Sequence, residues 1–490
     1  MSEFKDGQAS RYHQAKQWEI AFFSLNNSAT NLYLFAFGFL TYYATGIAGF
    51  ATLLVSNLLG AARLFDGIID PTIGIVMDKF NTRWGKFRPL MLVSNIGLIL
   101  SFLLLFSTHR LSGAAQVVVF LIALVFHKIV YSFQQTVTKA AQPALTNDPT
   151  QRPLFSIYDT VFSSIGVFAM GQVVVSNFLA PRHNGEFNQA FFTEFLTGIM
   201  ILSAVLTVLA IIGISRKDRT EYFGLGEDTV ETKSLQDYLS VIKGNTPLIT
   251  LAICGGLMKF IAQLLSDQAF LVILFGIILG NYGLSGQLSL WQIVPNLIVV
   301  VLFTRLATRR DLKTSYTVSI LIAMTAMLVM LVMLAILWTS GDPTQIFGNG
   351  GLLPIVFGIA YIAMKISSTY PNSIVLTMSA DISDFETSRS GRFVSGLIGT
   401  VFSLTDSIAS SLAPIFIGFI VAGIGFKEAY PDASEPLTDN LFNGGLILLG
   451  IPLILYIFVF ILIRKYPLNR EAMDKVQLAI SEKKKDDLFN

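Results

Sequence analysis

Twelve apolar runs, each long enough to cross a bilayer as a helix, divide this chain and set its fold class. A transmembrane helix needs about 20 mostly apolar residues, because lipid leaves the backbone no hydrogen-bond partner but itself. The runs have cores at 19–45, 50–77, 89–107, 115–142, 153–180, 195–214, 247–280, 286–305, 315–339, 351–379, 393–422 and 441–464. The seventh is long enough for a tilted helix. Forty phenylalanines and only 13% charged residues, in a chain of 490, are incompatible with a soluble core; soluble domains carry about 25% charged residues. The sequence predicts an all-α integral membrane protein with twelve transmembrane helices. Its polar leader (MSEFKDGQASRYHQAKQ) precedes an apolar run too long for a signal peptide, so the first helix is expected to be a retained anchor.

Charge orients the helices. Placing both termini in the cytoplasm puts 26 of the 34 Lys and Arg in cytoplasmic segments and three (Arg110, Arg182, Lys427) outside. That bias follows the positive-inside rule. The longest interior hydrophilic stretch separates two six-helix halves. The expected organisation is an N-terminal bundle at 1–214, a linker at 215–246, a C-terminal bundle at 247–464 and a tail at 465–490. Basic loops follow the second helix of each half, a weak internal symmetry typical of two-bundle carriers. The single cysteine, Cys254, excludes a disulfide framework, and the four histidines show no zinc spacing. No phosphate loop, zincin motif or nucleophile–base set is present, so the sequence gives no support for an enzyme, a structural metal or a cofactor.

Five basic residues remain inside spans: Arg63, Lys128, Lys139, Lys259 and Lys365. The second span concentrates charge, as RLFDGIID from Arg63 to Asp70. A charge at the bilayer centre costs about 2.5–3.5 kcal/mol on insertion scales, so these side chains must face protein or water. Arg63, Asp66 and Asp70 fall at i, i+3 and i+7, on one stripe. A plain Arg63–Asp66 ion pair neutralises one carboxylate and leaves the second needing a cation, a proton or a lysine from another helix. Two carboxylates one turn apart suit a small hard cation or a shared proton. Lys139 is a candidate counter-charge for either aspartate, against the alternative that it snorkels to the interface. Further polar stripes carry Lys128, Gln135 and Lys139 at i, i+7 and i+11 on the fourth span with Tyr131 and Ser132 nearby, Gln263 and Asp267 on the seventh with Lys259 one turn earlier, Lys365, Ser368 and Asn372 on the tenth, and Ser403, Asp406 and Ser410 on the eleventh. Each alone reads as interhelical glue; together they point to a hydrated cavity suited to a polyol, with Tyr131, Tyr361 and Trp291 as stacking candidates.

From Arg63 to Pro89 the chain reads RLFDGIIDPTIGIVMDKFNTRWGKFRP. This closely resembles the glycoside–pentoside–hexuronide:cation symporter family, which includes the melibiose carriers and belongs to the major facilitator superfamily. Eleven positions match its R-x-x-D-x-x-x-D-P and R-W-G-K-[FR]-[KR]-P pattern: Arg63, Asp66, Asp70, Pro71, Arg83, Trp84, Gly85, Lys86, Phe87, Arg88 and Pro89. Weaker matches lie at LTYYATGIAGF (Gly46 where an acid is usual), at Pro143–Arg152 and at Ala380–Arg392. The resemblance implies a major facilitator fold, a coupling site for Na⁺, Li⁺ or H⁺ at Asp66 and Asp70, and a conformational latch at Asp78, Arg83, Gly85, Lys86 and Arg88. Melibiose-type members carry an acid where this chain has Gln135, an aromatic at Lys139, a sugar-contacting arginine at Thr160 and a lysine at Ser407, beside Asp406. The cation end is retained and the sugar end is rewritten; Lys139 is a candidate for the charge role of the missing lysine.

The expectation is therefore a monomeric, bacterial cell-membrane symporter. It would move a sugar or glycoside with Na⁺ or H⁺ by alternating access, with no nucleic-acid partner. The rival readings are a carrier of an anionic hexuronide or lipid-like solute in the same fold, and a membrane sensor that no longer transports.

Overall fold

A computed structural model describes residues 13–78, 82–146, 148, 151–219, 244–341, 343–346, 351–390 and 395–489. Among them there is no strand; the chain is built of helices. These are α1 (Gln17–Phe37), α2 (Thr52–Asp78), α3 (Phe87–Leu105), α4 (Gly113–Ala140), α5 (Arg152–Arg182) and α6 (Gln189–Ile214). After the linker come α7a (Thr246–Leu264), α7b (Gln268–Ile278), α8a (Gly283–Trp291), α8b (Ile293–Arg309), α9 (Leu312–Ser340), α10 (Leu352–Ser390), α11 (Ser395–Gly423), α12 (Asp439–Arg464) and α13 (Arg470–Phe489). Each of the twelve expected runs overlaps a helix or a helix pair; the first continues past the end of α1 at Phe37. Among the described residues, nine helices are individually long and apolar enough to cross a membrane, and ten if α7b with α8a is taken as one bent span. Neither α1 nor α2 is in that set; α1 carries Glu19, Asn26, Asn27 and Asn31, and α2 carries Arg63, Asp66 and Asp70.

The chain divides into two compact units. The first comprises Met1–Thr229 with Gly283–Leu290 and Phe426–Ser434; the second comprises Val230–Tyr282, Trp291–Gly425 and Glu435–Asn490. In the first unit α1 lies tightly on α6. A methyl group added at Gly213 would sit 2.7 Å from the Phe23 nitrogen and 2.8 Å from the Glu19 carbonyl, so only glycine lets the backbones approach this closely. Glu19, itself buried, accepts Nε and Nη2 of Arg216 at 2.7 and 2.8 Å and ties the start of α1 to the end of α6. Asn26 donates to Thr138 at 2.7 Å and joins α1 to α4. Many phenylalanines pack edge to face or tilted in this unit: Phe39 meets Phe187, Phe191 and Phe195 with centroids 5.8, 6.2 and 5.3 Å away. Exposed positions of α6 are Ile201, Leu202, Val205 and Val208, an apolar face suited to hydrocarbon.

The two short stretches from the second half join the first unit through specific bonds. Tyr430 bonds Ser56 at 3.0 Å and stacks near Tyr42, and Asp432 accepts the Phe187 amide at 3.2 Å. Ser285 accepts from Gln172 at 3.0 Å.

Both units fasten the start of their first helix with residues at or just past the end of their fourth. In the first, the Gln151 side chain bonds the Ala15 amide (3.0 Å) and carbonyl (2.9 Å), and Thr146 donates to the His13 carbonyl at 3.1 Å. In the second, buried Glu386 accepts Asn245 at 2.9 Å and Arg389 at 3.0 Å, while Arg389 donates to the Gly244 carbonyl at 2.8 Å. Asn245 meanwhile caps α7a through the Leu248 amide at 3.0 Å.

Within the seventh run the structure differs from a single tilted helix. It breaks at Leu265–Asp267, and Asp267 caps the next turn by accepting the Ala269 amide at 2.9 Å. The freed carbonyl of Leu265 is taken up by Lys365 of α10, whose Nζ lies 2.7 Å from it and 2.8 Å from Ser266 Oγ. Broken membrane helices persist where neighbours satisfy the released backbone groups. Lys365→Met is expected to lower stability by about 1–3 kcal/mol, the cost of orphaning that carbonyl; thermal unfolding of the detergent-purified protein measures it.

Candidate functional site

Helix α2 sets Asp66 of its charged stripe against α4. The Asp66 carboxylate meets Lys128 Nζ at 2.7 Å. The lysine side chain is 10% exposed and the aspartate side chain 32%. The ammonium also lies 5.3 Å from the centre of the Phe37 ring on α1, within cation–π range. That ring is held parallel to His127, 5.1 Å away, and His127 bonds Ser101 at 3.0 Å. Three helices thus converge on one lysine, which has a carboxylate on one side and an aromatic face on the other. Arg63 is half-buried on the same stripe. Asp70 belongs to the α2 backbone, but its side chain lies outside the described residues, as does that of Asp78.

Lys139, the expected counter-charge, is exposed near the end of α4. The lysine beside Asp66 is Lys128, three helical turns earlier. The sequence placed both on one stripe, and the depth of Asp66 in α2 selects the deeper one. Of the other α4 candidates, Ser132 is buried, Tyr131 and Gln135 are half-buried, and the Tyr131 ring lies 6.0 Å from His127.

On α5, Thr160 is exposed and spends its hydroxyl on the Ser156 carbonyl at 2.8 Å. The more informative neighbour is Asp159, which sequence reasoning missed. It accepts from Asn27 of α1 and from Ser163 at 2.9 Å. Here α5 widens into a π-helix over Thr160–Ala169, a feature frequent at functional sites. A census of intramembrane acids alongside the bases was the signal available.

In the second unit, Asp406 of α11 pairs with Lys259 of α7a at 3.0 Å, with both side chains partly open. Asp267 and Lys365 are joined through the helix break described above rather than through one another. Tyr361 is buried edge-on against Phe275 at 5.0 Å, so its face is not open for stacking, whereas Trp291 is exposed.

The latch candidates gather around a residue the sequence did not single out. Arg83 and Trp84 are exposed at a tight turn closed by Thr82 and Gly85. Asp218, just past α6 and with no exposed side-chain surface, accepts the amides of Lys86 (2.9 Å), Phe87 (3.1 Å) and Arg88 (2.9 Å), and Nε of Arg88 at 3.2 Å. It caps α3 from the segment just past α6, at a helix start where the macrodipole favours an anion. Gly85 has φ +104°, and a Cβ there would lie 2.2 Å from Asp218 Oδ2. The glycine of the pattern is thus fixed both by conformation and by contact.

Among the described residues the chain is helical, in two units that each carry an ion pair between long helices, and its long apolar helices make it a multi-helix membrane protein. Residues 22–470 match the family described as MFS/sugar transport protein, and the chain belongs to that family. It is 21% identical to a glucuronide carrier protein homolog of Escherichia coli strain K12, over 96% of this chain and 97% of that one. It is 20% identical to an isoprimeverose transporter of Lactiplantibacillus pentosus, over 85% and 82%. Among solved structures, the nucleoside transporter NupG aligns over 92% of this chain and 99% of its own with a TM-score of 0.60 at 15% identity, which gives the fold.

Proposed function

We propose that this chain is a cation-coupled symporter of a sugar or glycoside, working by alternating access, with Asp66 at the coupling-ion site. The observation that carries this reading is the Asp66–Lys128 pair, 2.7 Å apart between α2 and α4. Such a pair is electrically satisfied when empty. An incoming Na⁺ competes with the ammonium for the carboxylate oxygens; an incoming H⁺ neutralises the carboxylate outright. In either case Lys128 retains the Phe37 ring 5.3 Å away as a second partner, so the exchange does not strand a charge in low dielectric. Asp70, one turn further along the stripe, is proposed to complete the site. The family membership and the names of the relatives support a sugar or glycoside as the cargo.

In the first unit Asp159, Tyr131, Ser132, Gln135 and Thr160 are proposed as polar contacts for the substrate, and in the second the Lys259–Asp406 pair is proposed as a further one. The Asp218-capped turn holding Arg83, Gly85, Lys86 and Arg88, with Asp78, is proposed as the latch. The Lys and Arg distribution supports cytoplasmic termini in a bacterial cell membrane, and the chain is proposed to act as a monomer.

The test is uptake of labelled neutral and acidic glycosides into proteoliposomes under an imposed Na⁺ gradient and, separately, an imposed pH gradient. One gradient is expected to drive accumulation above the equilibrium level. Flux that never exceeds equilibration under either gradient contradicts the symport reading.

A further inference from the structure

An ion that binds the Asp66 carboxylate competes with an ammonium already 2.7 Å from it. Lys128 is tethered, so it competes at high local concentration and never diffuses away. How readily it yields depends on what receives it. We propose that Phe37 and His127 are positioning residues that set the affinity of the coupling ion, by giving the Lys128 ammonium an aromatic seat to move onto. This deepens the coupling site proposed above, and rests on that reading.

The Lys128 ammonium lies over the Phe37 ring, 5.3 Å from its centre. Cation–π attraction acts within about 6 Å of a ring centre. The contact is therefore near its outer limit, and it strengthens as the ammonium leaves the carboxylate for the ring. With the lysine side chain only 10% exposed, water offers the displaced charge little. Such attraction is largest where water is excluded. On α2 and α4 the other ionisable side chains within two turns of the pair are Arg63, Asp70, His127 and Tyr131. All four stay in place when only the ring is changed.

The ring is held in place by a chain of buried side chains from four helices. His127 stacks on Phe37 with centroids 5.1 Å apart and 10° between the planes. The imidazole bonds Ser101 of α3 at 3.0 Å, and its centroid lies 5.0 Å from that of Phe102. Phe102 meets Tyr33 of α1 edge to face at 4.9 Å, and Tyr33 bonds Ser203 of α6 at 2.7 Å. Phe37, His127, Ser101, Phe102, Tyr33 and Ser203 are all buried. A ring fixed in this way presents its face to the ammonium without first having to be ordered, so the full attraction counts towards releasing Asp66. A ring that only filled space would affect folding and leave ion affinity alone.

The experiment uses the purified full chain in lipid nanodiscs, without sugar. Na⁺ binding is measured by calorimetry with NaCl against choline chloride, and H⁺ binding by proton uptake on acid titration. The proteins are the wild type, Phe37→Leu, Phe37→Tyr, Lys128→Met and the double variant Phe37→Leu/Lys128→Met, each checked for cooperative thermal unfolding. Lys128→Met is expected to raise affinity for the coupling ion by about tenfold or more, because the competitor is gone and the carboxylate is left uncompensated. Phe37→Leu is expected to weaken it by about three- to thirtyfold, the range that cation–π energies span, and Phe37→Tyr, which keeps a ring, to retain it. In the Lys128→Met background Phe37→Leu is expected to leave ion affinity unchanged, a coupling that a space-filling role does not produce. If Phe37→Leu fails to fold, His127→Leu carries the test, with a weakening that likewise vanishes without Lys128. Equal ion affinity with and without the ring in folded protein, or the same loss whether or not Lys128 is present, overturns the assignment and leaves the symport reading standing. Absence of any Na⁺ or H⁺ binding that depends on Asp66 overturns the symport reading and this assignment with it.

Discussion

Asp66→Asn is expected to abolish accumulation of substrate against its gradient while substrate still equilibrates across the membrane. The asparagine keeps the shape of the side chain and loses the charge that faces Lys128 at 2.7 Å. A neutral amide neither attracts Na⁺ comparably nor carries a proton at working pH, so the coupling ion has no reason to bind with substrate. Removing one member of a buried ion pair costs about 3–5 kcal/mol; with roughly a third of Asp66 exposed, a smaller loss is expected here. The double variant Asp66→Asn/Lys128→Met removes both charges together. It is expected to recover most of that stability without recovering coupling. Parallel scans of thermal unfolding and of uptake, with and without a gradient, separate the two effects.

Asp218→Ala is expected to be the most destabilising single change outside the ion-pair site. Its carboxylate satisfies three consecutive amides at the start of α3 and one guanidinium, all from a position with no exposed side-chain surface. Loss of a cap costs about 1 kcal/mol, and hydrogen bonds to a charged group about 1.5–3 kcal/mol each before compensation by water; a total on the order of 3 kcal/mol follows. Gly85→Ala attacks the same contact from the other side, because φ is +104° and a Cβ would lie 2.2 Å from the carboxylate. The two variants are expected to be non-additive, since each removes the same interaction. A double-mutant cycle on unfolding free energy reads this directly, and additive losses would show that the turn and the cap are independent.

The helices were legible because apolar run length is a one-dimensional signal. The run at 441–464 falls inside α12, and that at 89–107 overruns the end of α3 by two residues. The break at Leu265–Asp267 was harder to see, because Ser266 and Asp267 sit between two long apolar stretches that read as one span and the compensating lysine, Lys365, is 100 positions away. The charged stripe on α2 was legible from spacing, since insertion cost forces such residues inward. Its partner was not, because a stripe on α4 says which residues share a face and not which depth meets Asp66. Lys128 rather than Lys139 holds that place. Asp159 and Asp218 escaped notice for different reasons. Asp159 begins a π-helical segment that no sequence period reveals. Asp218 looks like an ordinary linker charge until the fold brings it to the start of α3, 130 residues away. Glu386 and Gln151 likewise gain their meaning only from the helix starts they hold.

Linkage between the two ligands tests the central claim most directly. If a cation at Asp66 and a glycoside stabilise the same state, each must raise the other's affinity by the same factor. Glycoside affinity of the purified protein is measured by calorimetry at saturating and at vanishing Na⁺, and at two pH values; cation affinity is then measured with and without glycoside. The expected result is a reciprocal enhancement of at least about fivefold, in the usual range of coupling energies, that disappears in Asp66→Asn. Glycoside affinity independent of both Na⁺ and pH in the wild type, or a reciprocal enhancement that survives intact in Asp66→Asn, contradicts the account.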